Sequence, residues 1–140
     1  MELKLIPNRY DGTATLPYLM AANVLSDEGS VFIDMPFGDD DELTIYFAGD
    51  SAKVGESVLE TARGLMQALG YLDNRIQEAC AAECRMSGLH PRNFEGELAY
   101  ITLAGESASL HYIGSRVNTE WDELVKMDAS KWIYAGTSDS

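Results

Sequence analysis

Apolar residues change their repeat along this chain, and the change divides it into strand, helix and strand again. Leu43, Ile45 and Phe47 alternate with Thr44, Tyr46 and Ala48, the two-residue repeat of a strand that buries one face. Over residues 51–87 the repeat lengthens. Val54, Val58, Ala62, Leu65, Met66 and Leu69 recur at steps of three and four, which places them on one face of a helix. Asp50 or Ser51 is expected to cap its start, with Glu56 and Glu60 near the positive end of its dipole. Gly70 is expected to stop or bend it, because glycine takes a left-handed backbone without steric cost. Leu72, Ile76, Ala79, Cys80 and Met86 then resume the pattern, predicting a second helix or a kinked continuation.

On either side the chain reads as short extended pieces. Leu3, Leu5 and Ile6 suggest a first strand, and residues 16–24 an edge strand or extended approach, since Pro17 has no N–H to donate. Residues 26–30 form a turn by composition. Strands over 31–35 and 43–48 are expected to pair as a hairpin across the acidic connection 36–42. After the helices comes a loop over 88–93, then strands over 98–103 and 108–113 around a turn at Gly105, and a reversal over 114–118. Residues 120–127 fit either period. The turn at 128–130 and the strand 131–134 that follow favour a terminal hairpin. Residues 136–140 are small and polar, and are expected to fray. The order of elements predicts one domain over 1–140 in the α+β class, a largely antiparallel sheet with two central helices packed on one face.

Composition narrows the function classes. A hydrophobic content of 46 % over 140 residues supports a packed core and argues against disorder. No apolar run approaches the roughly 18–20 residues that span a bilayer, and the N-terminus has no signal-peptide pattern, so a cytoplasmic location is expected. The net charge of −13 disfavours nucleic acid and anionic membrane, whose binders cluster Lys and Arg. The charge is also unevenly placed. Between Asp27 and Glu60 lie ten acids and one base, Lys53. A localised negative field favours a basic partner and speeds encounter with it.

Reactive constellations are sparse. Cys80 and Cys84 lie four apart on the predicted second helix, but no second Cys/His pair completes a metal set, and packing roles are expected for both. His90 and His111 are expected at the surface or in strand pairing. Asp39, Asp40, Asp41 and Glu42 lack the alternating spacing of a calcium loop. Residues 49–53 do not match a phosphate-binding loop, and no serine sits in a nucleophile elbow. Neither catalysis nor a cofactor nor a bound metal is expected. Two candidate binding patches remain. One is the acidic stretch, with Asp27, Glu28, Asp39, Asp40, Asp41 and Glu42. The other is Trp121 with Asp122 and Glu123, an aromatic anchor beside carboxylates as found at interface hot spots.

The runs Leu98-Ala-Tyr-Ile-Thr-Leu103, Ser109-Leu-His-Tyr-Ile-Gly114 and Val117-Asn-Thr-Glu-Trp-Asp122, with Ala14-Thr-Leu-Pro-Tyr18 and helices around Leu72-Asp-Asn-Arg-Ile76, resemble small bacterial immunity proteins of polymorphic or contact-dependent toxin systems. The likeness extends over most of the chain. It implies a non-catalytic, cytoplasmic protein, monomeric by preference, that neutralises a basic, nuclease-like toxin domain through an acidic surface. An acidic secretion chaperone that binds an effector is the alternative, and a small enzyme or metal binder a third.

Overall fold

The computed structural model describes residues 4–87 (backbone alone for 83–87), 94–114 and 120–138. Seven strands form one sheet in chain order: β1 Leu25–Asp27, β2 Ser30–Phe37, β3 Asp41–Phe47, β4 Glu97–Ala104, β5 Ser107–Ile113, β6 Glu120–Asp128 and β7 Lys131–Ser138. Neighbours pair antiparallel except β3 and β4. These two are parallel because the helix α1, Glu56–Ser87, carries the chain back between them. The class is α+β with a mostly antiparallel sheet, as the apolar periods predict. There is, however, one long helix in place of two.

Gly70 explains the difference. It is helical, and a Cβ added there would stand 2.8 Å from the carbonyl oxygen of Tyr10. Gly12 is tighter still, since its Cβ would meet the Met66 carbonyl oxygen at 1.9 Å. Both glycines serve close approach, because the N-terminal segment runs antiparallel along α1. Asn8 and Asn74 exchange hydrogen bonds, with Asn8 N–H donating to Asn74 Oδ1 and Asn74 Nδ2 to Asn8 Oδ1, each at 2.9 Å. Gln77 pairs likewise with the backbone of Ile6, accepting at 2.7 Å and donating at 3.0 Å. Leu5 and Ile6 of the expected first strand thus belong to a strap on the helix, while Leu3 lies outside the described residues.

Where an extended approach is predicted over 16–24, the chain forms two 3₁₀ helices, Gly12–Tyr18 and Ala21–Asn23. Asp11 caps the first by accepting from Thr13 N–H at 3.0 Å, and the Thr15 hydroxyl donates to the Gly12 carbonyl at 2.6 Å. Local side-chain bonds of this kind compete with strand formation. A second cap assignment also changes. Asp50 and Ser51 belong to a separate 3₁₀ turn, Gly49–Ala52, and Ser51 Oγ accepts from Gly105 N–H at 2.8 Å, tying that turn to the β4–β5 reversal. The first bond of α1 runs instead from Leu59 N–H to the Gly55 carbonyl.

The expected terminal hairpin is β6–β7, closed by Ala129 and Ser130 with φ of 51° and 67°, the signs of a type I′ turn. Residues 136–138, expected to fray, extend β7. Gly136, Thr137 and Ser138 pair with Leu124, Glu123 and Asp122 past a bulge. β1 is absent from the predicted elements because Leu25, Ser26 and Asp27 are all exposed and leave no burial pattern.

The core lies between α1 and one sheet face. Leu59, Ala62, Leu65, Met66, Leu69, Leu72 and Ile76 meet Ile33, Met35, Leu43, Ile45, Phe47, Ile101, Leu103 and Leu110. Cys80 is half-buried against this core. The side chain of Cys84, His90 and the 88–93 loop lie outside the described residues.

Under the strap, Asp73 is fully enclosed and fully engaged. Arg9 donates to it through Nε at 2.8 Å and Nη2 at 2.9 Å, the Tyr112 hydroxyl at 2.7 Å and Gln77 Nε2 at 2.8 Å. The Arg9 guanidinium also lies 4.4 Å from the ring centre of Tyr10 and 5.0 Å from that of Phe94. Burial opposes the charge on Arg9, and the hydrogen bonds and charge of Asp73 outweigh it and raise its pKa. Burial first, and the Asp73 carboxylate second, push the Tyr112 phenol well above its ordinary value.

Candidate protein-docking face

Alternation along each strand gives the sheet a second face, and none of the described elements covers it. The strand register aligns Asp34, Thr44, Tyr100, His111, Asp122 and Ser138 in one row from β2 to β7. At about 4.8 Å per strand the row spans about 24 Å. The adjacent row holds Leu25, Phe32, Tyr46, Thr102, Ser109 and Leu124.

Aromatic rings connect the two rows. Phe32 and Tyr46 have centroids 5.6 Å apart, and Tyr46 meets Tyr100 at 5.6 Å with the planes at 86°. Tyr100 stacks on His111 at 4.4 Å and 16°. His111 is held at both ring nitrogens, Nδ1 2.7 Å from Asp122 Oδ1 and Nε2 2.7 Å from Glu120 Oε1. At the far end of the row Thr44 donates to Asp34 at 2.5 Å. The rings therefore lie between carboxylates. Partial burial first, then the charges of Asp122 and Glu120, raise the Tyr100 phenol pKa. Leu25 at 48 %, Ile113 at 45 %, Leu124 at 38 % and Tyr100 at 36 % exposure share this face, which makes it the apolar as well as the acidic side of the sheet.

Where β3 and β4 end, the face deepens into an open hollow of about 620 Å³. Tyr46, Tyr100 and Thr102 form its floor on the strands, and Gly29, Ser30 and Gly49 line its rim.

The acidic residues singled out in the sequence separate in space. Asp39 and Asp40 form the tip of the β2–β3 hairpin, with Asp41 and Glu42 opening β3. Asp27 and Glu28 lie at the β1–β2 turn, beyond the other end of β2. A strand of eight residues, about 26 Å, lies between the two groups. Glu56 and Glu60 are drawn away by Arg63, which bonds both. One continuous acidic run thus becomes two exposed ends with the aromatic rows between them.

The Trp121, Asp122 and Glu123 patch also divides, because adjacent strand residues face opposite ways. Trp121 turns to the helix side, stacked on Tyr112 at 5.6 Å and 17°. Gly96 and Gly114 make room for it, since Cβ atoms there would fall 2.6 Å and 3.1 Å from its ring. Glu123 is fully enclosed. It accepts from the Thr137 hydroxyl and from Tyr134 at 3.3 Å, and burial followed by this carboxylate pushes the Tyr134 phenol up to about 12. Trp121 and Glu123 thus face the helix side of the sheet, and Asp122 the other. Only Asp122 joins the open face.

Phe32, Tyr46, Tyr100 and His111 carry no weight in a linear charge count, and Asp34 and Glu120 enter it only as two more acids. One signal was available. Tyr46 and Thr44 occupy the polar positions of the clearest alternating strand, and an aromatic at such a position is an exposed ring.

No group of His, Cys, Asp and Glu among the described residues is arranged to hold a metal ion, and no described helix is long and apolar enough to cross a membrane. Comparison with protein-family models, curated proteins and solved structures finds no match for this chain.

Proposed function

We propose that this chain is a non-catalytic binding protein that docks a basic protein on the open face of its sheet, as an immunity protein does a toxin domain. One observation carries the reading. A face of aromatic rings bounded by carboxylates is left uncovered on a molecule whose net charge is −13. Rings supply contact area at low entropic cost, and the surrounding acids select a positive partner and raise its association rate. The acidic ends, Asp27 with Glu28 and Asp39 to Glu42, act at longer range. They steer the partner, which the central rows then hold. A cytoplasmic monomer neutralising a nuclease-like domain fits the resemblance of the sequence.

The test takes as its partner a basic toxin domain sought among the genes beside this one. Mixed with it, the chain is expected to form a one-to-one complex whose association slows as salt is added. Replacing Asp39, Asp40, Asp41 and Glu42 by Asn and Gln is expected to slow association and flatten its salt dependence. Replacing Tyr46 and Tyr100 by serine is expected to speed dissociation. Complex formation indifferent to both sets of changes would overturn the reading.

A further inference from the structure

We infer that the hollow at the ends of β3 and β4 is an arginine socket, which receives one guanidinium from the basic partner. The inference rests on the docking reading above and adds the chemistry that would be recognised. Three observations converge on it. Tyr46 and Tyr100 meet edge to face in the hollow at 5.6 Å, forming an aromatic corner, and Tyr100 is 36 % exposed. Such rings attract a cation, and a planar guanidinium stacks on them where a compact, strongly hydrated ammonium does not.

The surroundings are acidic. Glu28 and Asp50 are the chain neighbours of Gly29 and Gly49 on the rim, and Asp27 pairs with Ser30 across the β1–β2 turn. All three acids are exposed. A cation entering from solvent therefore meets carboxylates at the mouth and rings at the floor.

The third observation is an arrangement of the same kind elsewhere in the chain. Under the N-terminal strap Arg9 lies over Tyr10 and Phe94 with its guanidinium forked onto Asp73. That set of aromatic walls with a carboxylate already holds an arginine of its own. The hollow offers two aromatic rings to an arginine from outside, with the carboxylates standing on the chain neighbours of its rim. Its volume of about 620 Å³ accommodates one such side chain with the partner backbone at the mouth.

The test uses the full chain labelled with ¹⁵N and ¹³C, titrated with a blocked Gly-Arg-Gly peptide and with its Lys and citrulline counterparts. The arginine peptide is expected to shift the ring signals of Tyr46 and Tyr100 and the amide of Thr102 saturably. Its affinity should exceed that of the lysine peptide by about fivefold, and citrulline should give no saturable shift. Tyr100→Ser is expected to abolish the response. Ser30→Arg, a change at an exposed strand position on the rim, should do the same by filling the hollow from within, and it serves if the first variant does not fold. Equal Arg and Lys responses, or shifts spread over all exposed acids and lost together in salt, would overturn the socket. Failure here leaves the docking reading standing if the toxin complex still depends on the open face. A saturable arginine response without any such complex would support the socket and overturn the docking reading.

Discussion

The two faces of the sheet are built from rows one residue apart, and they come to opposite ends. Ile33, Ile45, Ile101, Leu110, Glu123 and Thr137 form a row under the helix side. Their immediate chain neighbours Asp34, Thr44, Tyr100, His111, Asp122 and Ser138 form the row on the open side. Both sides contain carboxylates and phenols. On the covered side Asp73 accepts from Arg9, Tyr112 and Gln77. On the open side His111 is satisfied by Asp122 and Glu120, while Tyr100 and the adjoining hollow remain accessible. Closure of a polar cluster turns it into architecture. The same groups left open can recognise something.

The most damaging way to probe the contrast is to open the closed side. Arg9→Met leaves the enclosed Asp73 without its fork and is expected to cost about 3–5 kcal/mol in urea unfolding. An unchanged midpoint would mean the Arg9–Asp73 pair contributes nothing to stability. Tyr112→Phe is expected to cost less, about 1–3 kcal/mol at neutral pH, by removing one donor to that carboxylate. It also carries a pH signature. The folded Tyr112 phenol titrates above its unfolded value, so its contribution is whole below about pH 10 and falls as pH rises beyond that. The native slope above pH 10 should therefore be steeper than that of Tyr112→Phe by about 1.4 kcal/mol per pH unit. Tyr134, with its phenol at about 12, adds to the alkaline loss in both proteins. Parallel slopes would show that the Tyr112 phenol titrates alike in the folded and unfolded chains.

Tyr100→Ser on the open side should change stability by only about 1 kcal/mol, the scale of a cross-strand pair, while it weakens partner binding far more. Equal losses in both measurements would erase the distinction between the faces. Gly64→Ala is the mildest change. Its new Cβ would lie 3.6 Å from Trp132 Nε1, an ordinary contact, so a helix-interior gain of about 0.5–1 kcal/mol is expected.

Much of the covered face could be read from the sequence, because burial imposes a period. Leu43, Ile45 and Phe47, and the run from Ala62 to Ile76, declare their elements directly. Gly70 misleads, since a glycine that ends a helix and one that lets another segment cross it are identical in one dimension. Leu16, Pro17 and Tyr18 mislead for another reason, as the bonds made by Asp11 and Thr15 override the extended pattern. The open face was less legible. The negative charge was plain, but Asp27 and Asp40 are near in sequence and at opposite ends of β2. His111, Glu120 and Asp122 come together only once the β5–β6 register is known. Trp121, taken with its acidic neighbours as one patch, points away from Asp122 because a strand reverses direction at every residue.

The parallel β3–β4 pairing has a kinetic consequence. Among the seven described strands every other pairing joins chain neighbours, so each meander can assemble locally and fast, whereas Ile45 can find Ile101 only after the whole of α1 has closed the loop between them. That junction is where the transition state should be crossed. Trimming Ile45 or Ile101 to valine is expected to slow refolding, while trimming Val125 in the last hairpin should chiefly hasten unfolding.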